Sequence, residues 1–246
     1  MSKILVICLG NDSKNLKGSR NDAILIYNFI KNKIKETTKD SIGIHSKSNE
    51  LFLDPRILFN NDITLDNIKR IISKIQKKEN LSNIIIFYSG HGYKNDYIEI
   101  YDQFKKPIKK KVFLDEIDII LNYKVNFKFI LDSCYSGNFK NLKNYTDYSS
   151  KIKNLKLISS CKSNQISNET LYDYKKLITE NKINSSYIKN SFIVNKKTIT
   201  LGVFTLNFIK ILNKERLKVE NWDKFILDSY WLKLKKIVKQ EPVVIW

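Results

Sequence analysis

Residues 83–92 read NIIIFYSGHG and residues 127–137 read FKFILDSCYSG. Each stretch is a short run of Ile, Phe and Leu that stops on small polar residues and glycine. Runs of this length, rich in β-branched and aromatic residues, read as inner strands of a parallel sheet covered on both faces. KILVICLG at Lys3–Gly10 and LKLISSC at Leu155–Cys161 have the same character. Four such strands spread along the chain predict an α/β fold.

The segments between them carry helical periodicity. NDAILIYNFIKNKIKE places Ile24, Tyr27, Ile30 and Ile34 on one face. TLDNIKRIISKIQKK does the same with Leu65, Ile68, Ile71, Ile72 and Ile75, and Thr64 stands where an N-cap is expected. FLDEIDIILNY and VFTLNFIKILNK are further helix candidates. Strand–helix alternation of this kind implies a sandwich with right-handed crossovers. DYIEIYDQFKKPIKK alternates and contains a proline, so it reads as a hairpin on the sheet edge. Residues 162–198 are polar and weakly periodic, a long loop region with short elements at most, of a length that often serves binding or a lid. No repeat or linker divides the chain, and a single domain over residues 1–246 is expected.

Composition excludes several classes. The chain has 246 residues, 42% hydrophobic and 12% aromatic, enough for a sizeable core. The net charge of +19 first suggests nucleic acid or an anionic surface. The lysines are scattered among Ile and Asn, however, which argues for compositional bias over a dedicated nucleic-acid face. No zinc-finger spacing, Walker loop or dinucleotide fingerprint is present. Three cysteines, Cys8, Cys134 and Cys161, form no disulfide pattern. The first residues do not make a secretory signal, and no stretch reaches the roughly 18 apolar residues of a membrane span. A soluble, intracellular, cytoplasmic protein that binds no membrane is the expectation.

Chemistry concentrates at two strand ends. Sites in open α/β sheets gather at the carboxyl ends of strands. If residues 83–90 and 127–134 are parallel neighbours, His91 and Cys134 emerge side by side, and the imidazole can take the thiol proton. The N–H of Gly92, with that of Cys134, is placed to hold an oxyanion. Gly90 and Gly137 are expected to permit the sharp turns. A lone cysteine or histidine is more often structural, but the pair, each after an apolar strand and among small residues, points to a Cys–His dyad. Cys8 and Cys161 have no such companion and read as core thiols; His45 is the remaining histidine.

At these residues the sequence resembles the caspase-related cysteine peptidases, and within them the metacaspases. SGHG and DSCYSG match the family's two catalytic motifs in order and separation. LKGSRNDA, TLDNIKRII, ISSCKSNQISNE, GVFTLNF and KQEPVV resemble further family segments, so the similarity spans nearly the whole chain. It implies a caspase-like three-layer α/β/α sandwich around a mostly parallel, mixed sheet, with a large-subunit-like part (1–140) and a small-subunit-like part (155–246). It also implies an endopeptidase acting on proteins or peptides after Arg or Lys. The family's pocket acids match Asp22 and Asp132, and its histidine-motif serine matches Ser89. Ser19 stands where the family often has a cysteine. Two carboxylates in a partly dry pocket favour a guanidinium or ammonium and disfavour a substrate Asp. The plain structural alternatives are a helix N-terminal charge for Asp22 and a turn cap for Asp132.

The sequence also departs from the pattern. Many metacaspases need calcium, held partly by an acidic loop after the histidine motif. Here that stretch is YKNDYIEIYDQFKKPIKKK, short and basic, and Asp115 follows Leu114 where the family tends to have another acid. Calcium wants six to eight oxygens, so weak or absent dependence is expected, with no cofactor and no metal site. Self-cleavage after Lys140, Lys143, Lys151 or Lys153 stands beside the reading of a solvated loop. A monomer is favoured, with a paracaspase-like dimer as an alternative. A catalytically silent module binding partners, nucleic acid among them, is the other alternative, and the intact dyad argues against it.

Overall fold

The computed structural model describes residues 2–40, 50–138, 142, 145–147, 149–180, 192–195, 197–215 and 240–245. Its main sheet contains seven strands: β1 (Ser2–Gly10), β2 (Glu50–Phe52), β3 (Arg56–Phe59), β4 (Asn83–Ser89), β7 (Val125–Asp132), β8 (Ile152–Ser159) and β12 (Val243–Ile245). The order is β12-β8-β7-β4-β1, and the outer edge of β1 pairs β2 near its start and β3 near its end. All pairings are parallel except β12 on β8, so the sheet is mixed. The four inner strands are those the apolar runs predict.

The central residues of these strands are mostly apolar on both sides because both faces of the sheet are covered. On β1, Ile4, Val6 and Cys8 join one buried cluster while Leu5, Ile7 and Leu9 join another. The first cluster is closed by α1 (Ser19–Asp40) and α5 (Val203–Glu215), the second by α2 (Leu65–Gln76) and α3 (Lys110–Ile120). Each fully buried Ile, Leu or Phe contributes roughly 1.5–3 kcal/mol against exposure, so three layers follow from the sequence. Ile24 and Ile30 are buried as the helical spacing requires and Tyr27 packs beside them, while the side chain of Ile34 lies outside the described residues. Thr64 caps α2, its hydroxyl accepting the Asn67 N–H at 3.2 Å.

Register is fixed at the amino ends of the strands by an amide ladder. Asn154 donates to Asn126, Asn126 to Asn83, and Asn83 to Ser2, at 2.6, 3.1 and 2.6 Å. A slip of one residue would turn these contacts and both apolar faces the wrong way. The ladder therefore sets which residues meet at the opposite edge.

Two expectations need correction. The hairpin of β5 (Tyr97–Tyr101) and β6 (Pro107–Lys109) forms a separate two-stranded sheet and does not extend the main one. Residues 162–198 contain short elements, but these assemble: β9 (Glu169–Asp173), α4 (Tyr174–Glu180) and β10 (Val194–Asn195) precede β11 (Thr198–Gly202), and β10-β11-β9 form an antiparallel sheet. Leu201 is buried on this small sheet while Leu171 stays exposed, a one-sided pattern too weak to read as periodicity. No described helix is long and apolar enough to cross a membrane.

Candidate active site

Strands β4 and β7 run in register from Asn83↔Asn126 to Ser89↔Asp132. His91 and Cys134 each lie two residues beyond the last pair, so both leave the sheet at one level on neighbouring strands. The two turns touch: a Cβ on Gly92 would stand 2.1 Å from the Cys134 carbonyl oxygen. His45 lies outside the described residues.

The histidine turn is pinned from behind. Tyr88, fully buried, donates its hydroxyl to the His91 carbonyl at 2.8 Å and accepts the Glu99 N–H at 3.1 Å. Gly92 bridges to Ile98, and the Nε2 of the half-buried His91 lies 2.7 Å from Ser13 Oγ.

The nucleophile turn is pinned more tightly. Cys134 is half buried between buried Ser133 and Ser136. Tyr135, next in the chain, has φ 54°, a left-handed conformation that a bulky residue adopts only when its surroundings impose it. Its N–H donates to Gln165 O at 2.8 Å. Lys110, almost wholly buried, pairs with Asp96 at 3.0 Å and donates to the carbonyls of Ser136 and Asn138 at 3.1 and 3.0 Å. None of the described glycines has positive φ, so Gly90 and Gly137 serve their turns by lacking a side chain and not by a left-handed backbone. They are small for close approach: a Cβ on Gly137 would lie 2.6 Å from Cys161 O, and one on Gly90 would meet the Tyr88 hydroxyl.

Burial pushes the Cys134 thiol above its ordinary pKa, and the N–H groups of Ser167 and of Cys134 itself pull the other way. No hydrogen bond joins thiol and imidazole among the described residues; catalytic bonds are often open until substrate binds. Cys8 and Cys161 are fully buried, Cys8 with its thiol pushed far up by desolvation. Cys161 lies against the carbonyls of Ser133 and Gln165 and so packs under the nucleophile turn.

Beside this edge two buried carboxylates converge on one glycine. Asp22 sits in the first turn of α1 and is buried. It accepts Ser89 Oγ at 2.8 Å and the Gly202 N–H at 2.8 Å. Asp132 does not cap its own turn; it accepts Ser167 Oγ at 2.5 Å and the Thr205 hydroxyl and N–H at 2.7 and 3.1 Å. A Cβ on Gly202 would stand 2.2 Å from Asp132 Oδ2 and 2.9 Å from Asp22 Oδ2. Burial first, and the charge of Asp132 second, push Asp22 well above the usual carboxylate range; burial also raises Asp132.

Ser19, the first residue of α1, is fully buried, and its hydroxyl has no partner among the described residues. Five residues that serve the site escape sequence reasoning: Ser13, Asn21, Ser167, Gly202 and Thr205. Asn21 bonds Ile193, just before β10, and Thr200 on β11, so adjacent side chains of one Asn-Asp dipeptide reach the far part of the chain. Such contacts, 35 to 180 residues apart, leave no spacing to detect. The closing Gln240 is legible through its place in KQEPVV; it donates to Ser160 O at 2.9 Å.

The fold and the two facing turns define a caspase-type cysteine peptidase domain. The chain belongs to the caspase domain family of peptidases, whose model matches residues 1–241. Among solved structures, protein GSU0716 from Geobacter sulfurreducens is similar at a TM-score of 0.52 and 15% identity, over 99% of this chain and 92% of that one. The secreted C11 cysteine protease iotapain from Bacteroides thetaiotaomicron aligns at 0.32 and 14%, over 67% of this chain and 53% of that one. Raptor from Chaetomium thermophilum aligns at 0.36 and 14%, over 68% and 16%. No curated protein matches the chain in sequence.

Proposed function

We propose that the protein is a metacaspase-like endopeptidase that cleaves after Arg or Lys through Cys134 and His91. His91 takes the proton of the Cys134 thiol as the sulfur attacks the scissile carbonyl. The N–H groups of Gly92 and Cys134 hold the resulting oxyanion, worth a factor of about 10²–10³ for one donor. The imidazolium then gives its proton to the leaving amine, and the acyl-enzyme remains on sulfur. Water, deprotonated by the same imidazole, releases the acid and restores the thiol. Asp22 and Asp132, with Ser89 steering Asp22, take the basic side chain before the cut, and Ser19 lines the same pocket.

One observation carries the specificity: two buried carboxylates, Asp22 and Asp132, converge on Gly202, and the charge of Asp132 adds to burial in raising Asp22. A guanidinium or ammonium relieves that repulsion, whereas a substrate Asp adds to it. The +19 field is screened over about 8 Å at physiological salt and so slows encounter with basic substrates more than it weakens the bound state.

Calcium is not required in this proposal. Asp115, the residue matched to one family ligand, is held by Lys111 at 2.9 Å. Self-cleavage, if it occurs, falls before β8: Lys153 lies within that paired strand and the Lys151 N–H is held by Asp118 at 2.8 Å, while Lys140 and Lys143 lie outside the described residues. The protein acts on peptide substrates as a monomer, without nucleic acid or membrane. Fluorogenic peptides ending in Arg, Lys or Asp, offered to wild type and Cys134→Ala, test the proposal. Turnover of Arg and Lys peptides by wild type alone is expected; cleavage after Asp, or activity in the Ala variant, overturns it.

A further inference from the structure

His91 has a contact that the mechanism above leaves unused. Its Nε2 lies 2.7 Å from the hydroxyl of Ser13, on the loop that leaves β1. We propose that Ser13 is the positioning residue of the histidine: its oxygen accepts the Nε2 proton, fixes the ring, and leaves Nδ1 to exchange a proton with Cys134. The inference rests on the peptidase reading, which supplies the job of the histidine.

The loop around Ser13 is built to hold that oxygen still. Ser13 and Leu16 form a closed bridge, with N–H to carbonyl distances of 2.8 and 3.3 Å. Just before it, Asp12 is anchored at both ends: its N–H donates to Asn60 Oδ1 and its carboxylate accepts the Arg20 N–H, each at 2.9 Å. Asn11 donates its N–H to Ser89 O at 2.9 Å and its amide to Glu99 at 2.8 Å. Glu99 is in turn the residue whose N–H meets Tyr88, the tyrosine that holds the His91 carbonyl. Both sides of the serine–imidazole contact therefore hang on one small network. Among the described residues, no other hydrogen bond reaches the His91 ring.

A neutral imidazole has one N–H, and the nitrogen facing an acceptor keeps it. With Ser13 at Nε2, Nδ1 keeps its lone pair and can accept the thiol proton. Once protonated, the ring has two donors and two partners, the serine oxygen and the thiolate. Without Ser13 the other tautomer competes, and a ring with its proton on Nδ1 cannot act as base. The other groups around the pair do not substitute for this acceptor. Asp132 on β7 and Cys161 after β8 oppose ionisation of Cys134, as does burial. Asp12 is held by Arg20 and Asn60, and Glu99 by Asn11 and by Tyr93 at 2.6 Å.

The test is the pH dependence of Cys134 alkylation by iodoacetamide, followed by peptide mass in wild type, Ser13→Ala and Ser13→Thr, with melting temperatures alongside. This reaction needs no substrate. In Ser13→Ala the profile moves up by about one pH unit, and the rate near neutrality falls roughly tenfold. Ser13→Thr, which keeps the hydroxyl, restores the wild-type profile, and kcat on Arg peptides follows the same order at constant KM. Superimposed profiles for wild type and Ser13→Ala overturn the inference, as does a threonine variant no better than alanine. A shifted profile in a protein that cleaves no peptide supports the role of Ser13 and removes the peptidase reading alone.

Discussion

Replacing Gly92 with alanine puts a methyl group where the histidine and nucleophile turns already touch. The new Cβ would lie 2.1 Å from the Cys134 carbonyl oxygen, 2.9 Å from Ser133 Oγ and 3.2 Å from the Cys134 carbonyl carbon. Ordinary contact begins near 3.4 Å, so the turns must part by about 1.3 Å, the difference between 3.4 and 2.1. Neither side yields cheaply, since the first atom is backbone in a turn held by Tyr135 and Lys110. A misplacement of about 1 Å between reacting groups costs on the order of 100-fold in rate. Tilting the Gly92 N–H away from the oxyanion adds to that loss, up to about 10³ in all, because the two effects share one cause. The assay is steady-state cleavage of an Arg peptide, with the melting temperature measured in parallel. A fall of 100- to 1,000-fold in kcat, with KM little changed and roughly 1–3 kcal/mol of overpacking strain, is expected. A Gly92→Ala enzyme within about threefold of wild type would refute the placement of these turns as reacting partners.

Other perturbations probe other parts of the site. Asp22→Asn keeps the shape, its oxygen accepting the Gly202 N–H and its amide donating to Ser89, and removes one of two like charges. Because burial raises both acids, the native state binds more protons than the unfolded chain above about pH 4, so their contribution to stability falls as pH rises from there through the raised native pKa. Asp22→Asn therefore melts higher at neutral pH, by about 1–2 kcal/mol, with a flatter pH dependence, and loses Arg-peptide cleavage; an unchanged melting profile contradicts the burial argument. Lys110→Met leaves buried Asp96 without its cation and should cost about 3–5 kcal/mol in denaturant titration, partly recovered by adding Asp96→Asn; a cost below about 1 kcal/mol counts against a buried pair. Calcium titrated to millimolar concentration should change the cleavage rate by less than about twofold, and saturable micromolar activation would reverse that proposal.

The inner strands are legible because burial on both faces makes β1 and β4 nearly continuous apolar runs and leaves β7 and β8 dominated by Ile, Leu and Phe. His91 and Cys134 are legible because each ends such a run among small residues. The edges are less so: β2, β3 and β12 are three or four residues long and carry too little pattern to separate from loop. The small sheet escapes because its strands cover only one face and are interleaved with lysine and asparagine. Asp22 and Asp132 could be suspected from family likeness, yet Thr205, Ser167 and Gly202 come from segments that tertiary folding alone brings to them. The positive φ at Tyr135 runs against residue preference, so sequence assigns the turn to glycine instead. Ser13 is one serine in a polar loop, and only the fold sets it against an imidazole 78 residues away.

Nucleophile and pocket can be tested together by treating the protein with a peptidyl-arginine chloromethyl ketone and mapping the adduct by mass spectrometry. A single adduct on Cys134 is expected, slowed strongly in His91→Ala and in Asp132→Asn, with the peptidyl-aspartate reagent reacting far more slowly. An adduct on another residue, or equal labelling by the aspartate reagent, would contradict it.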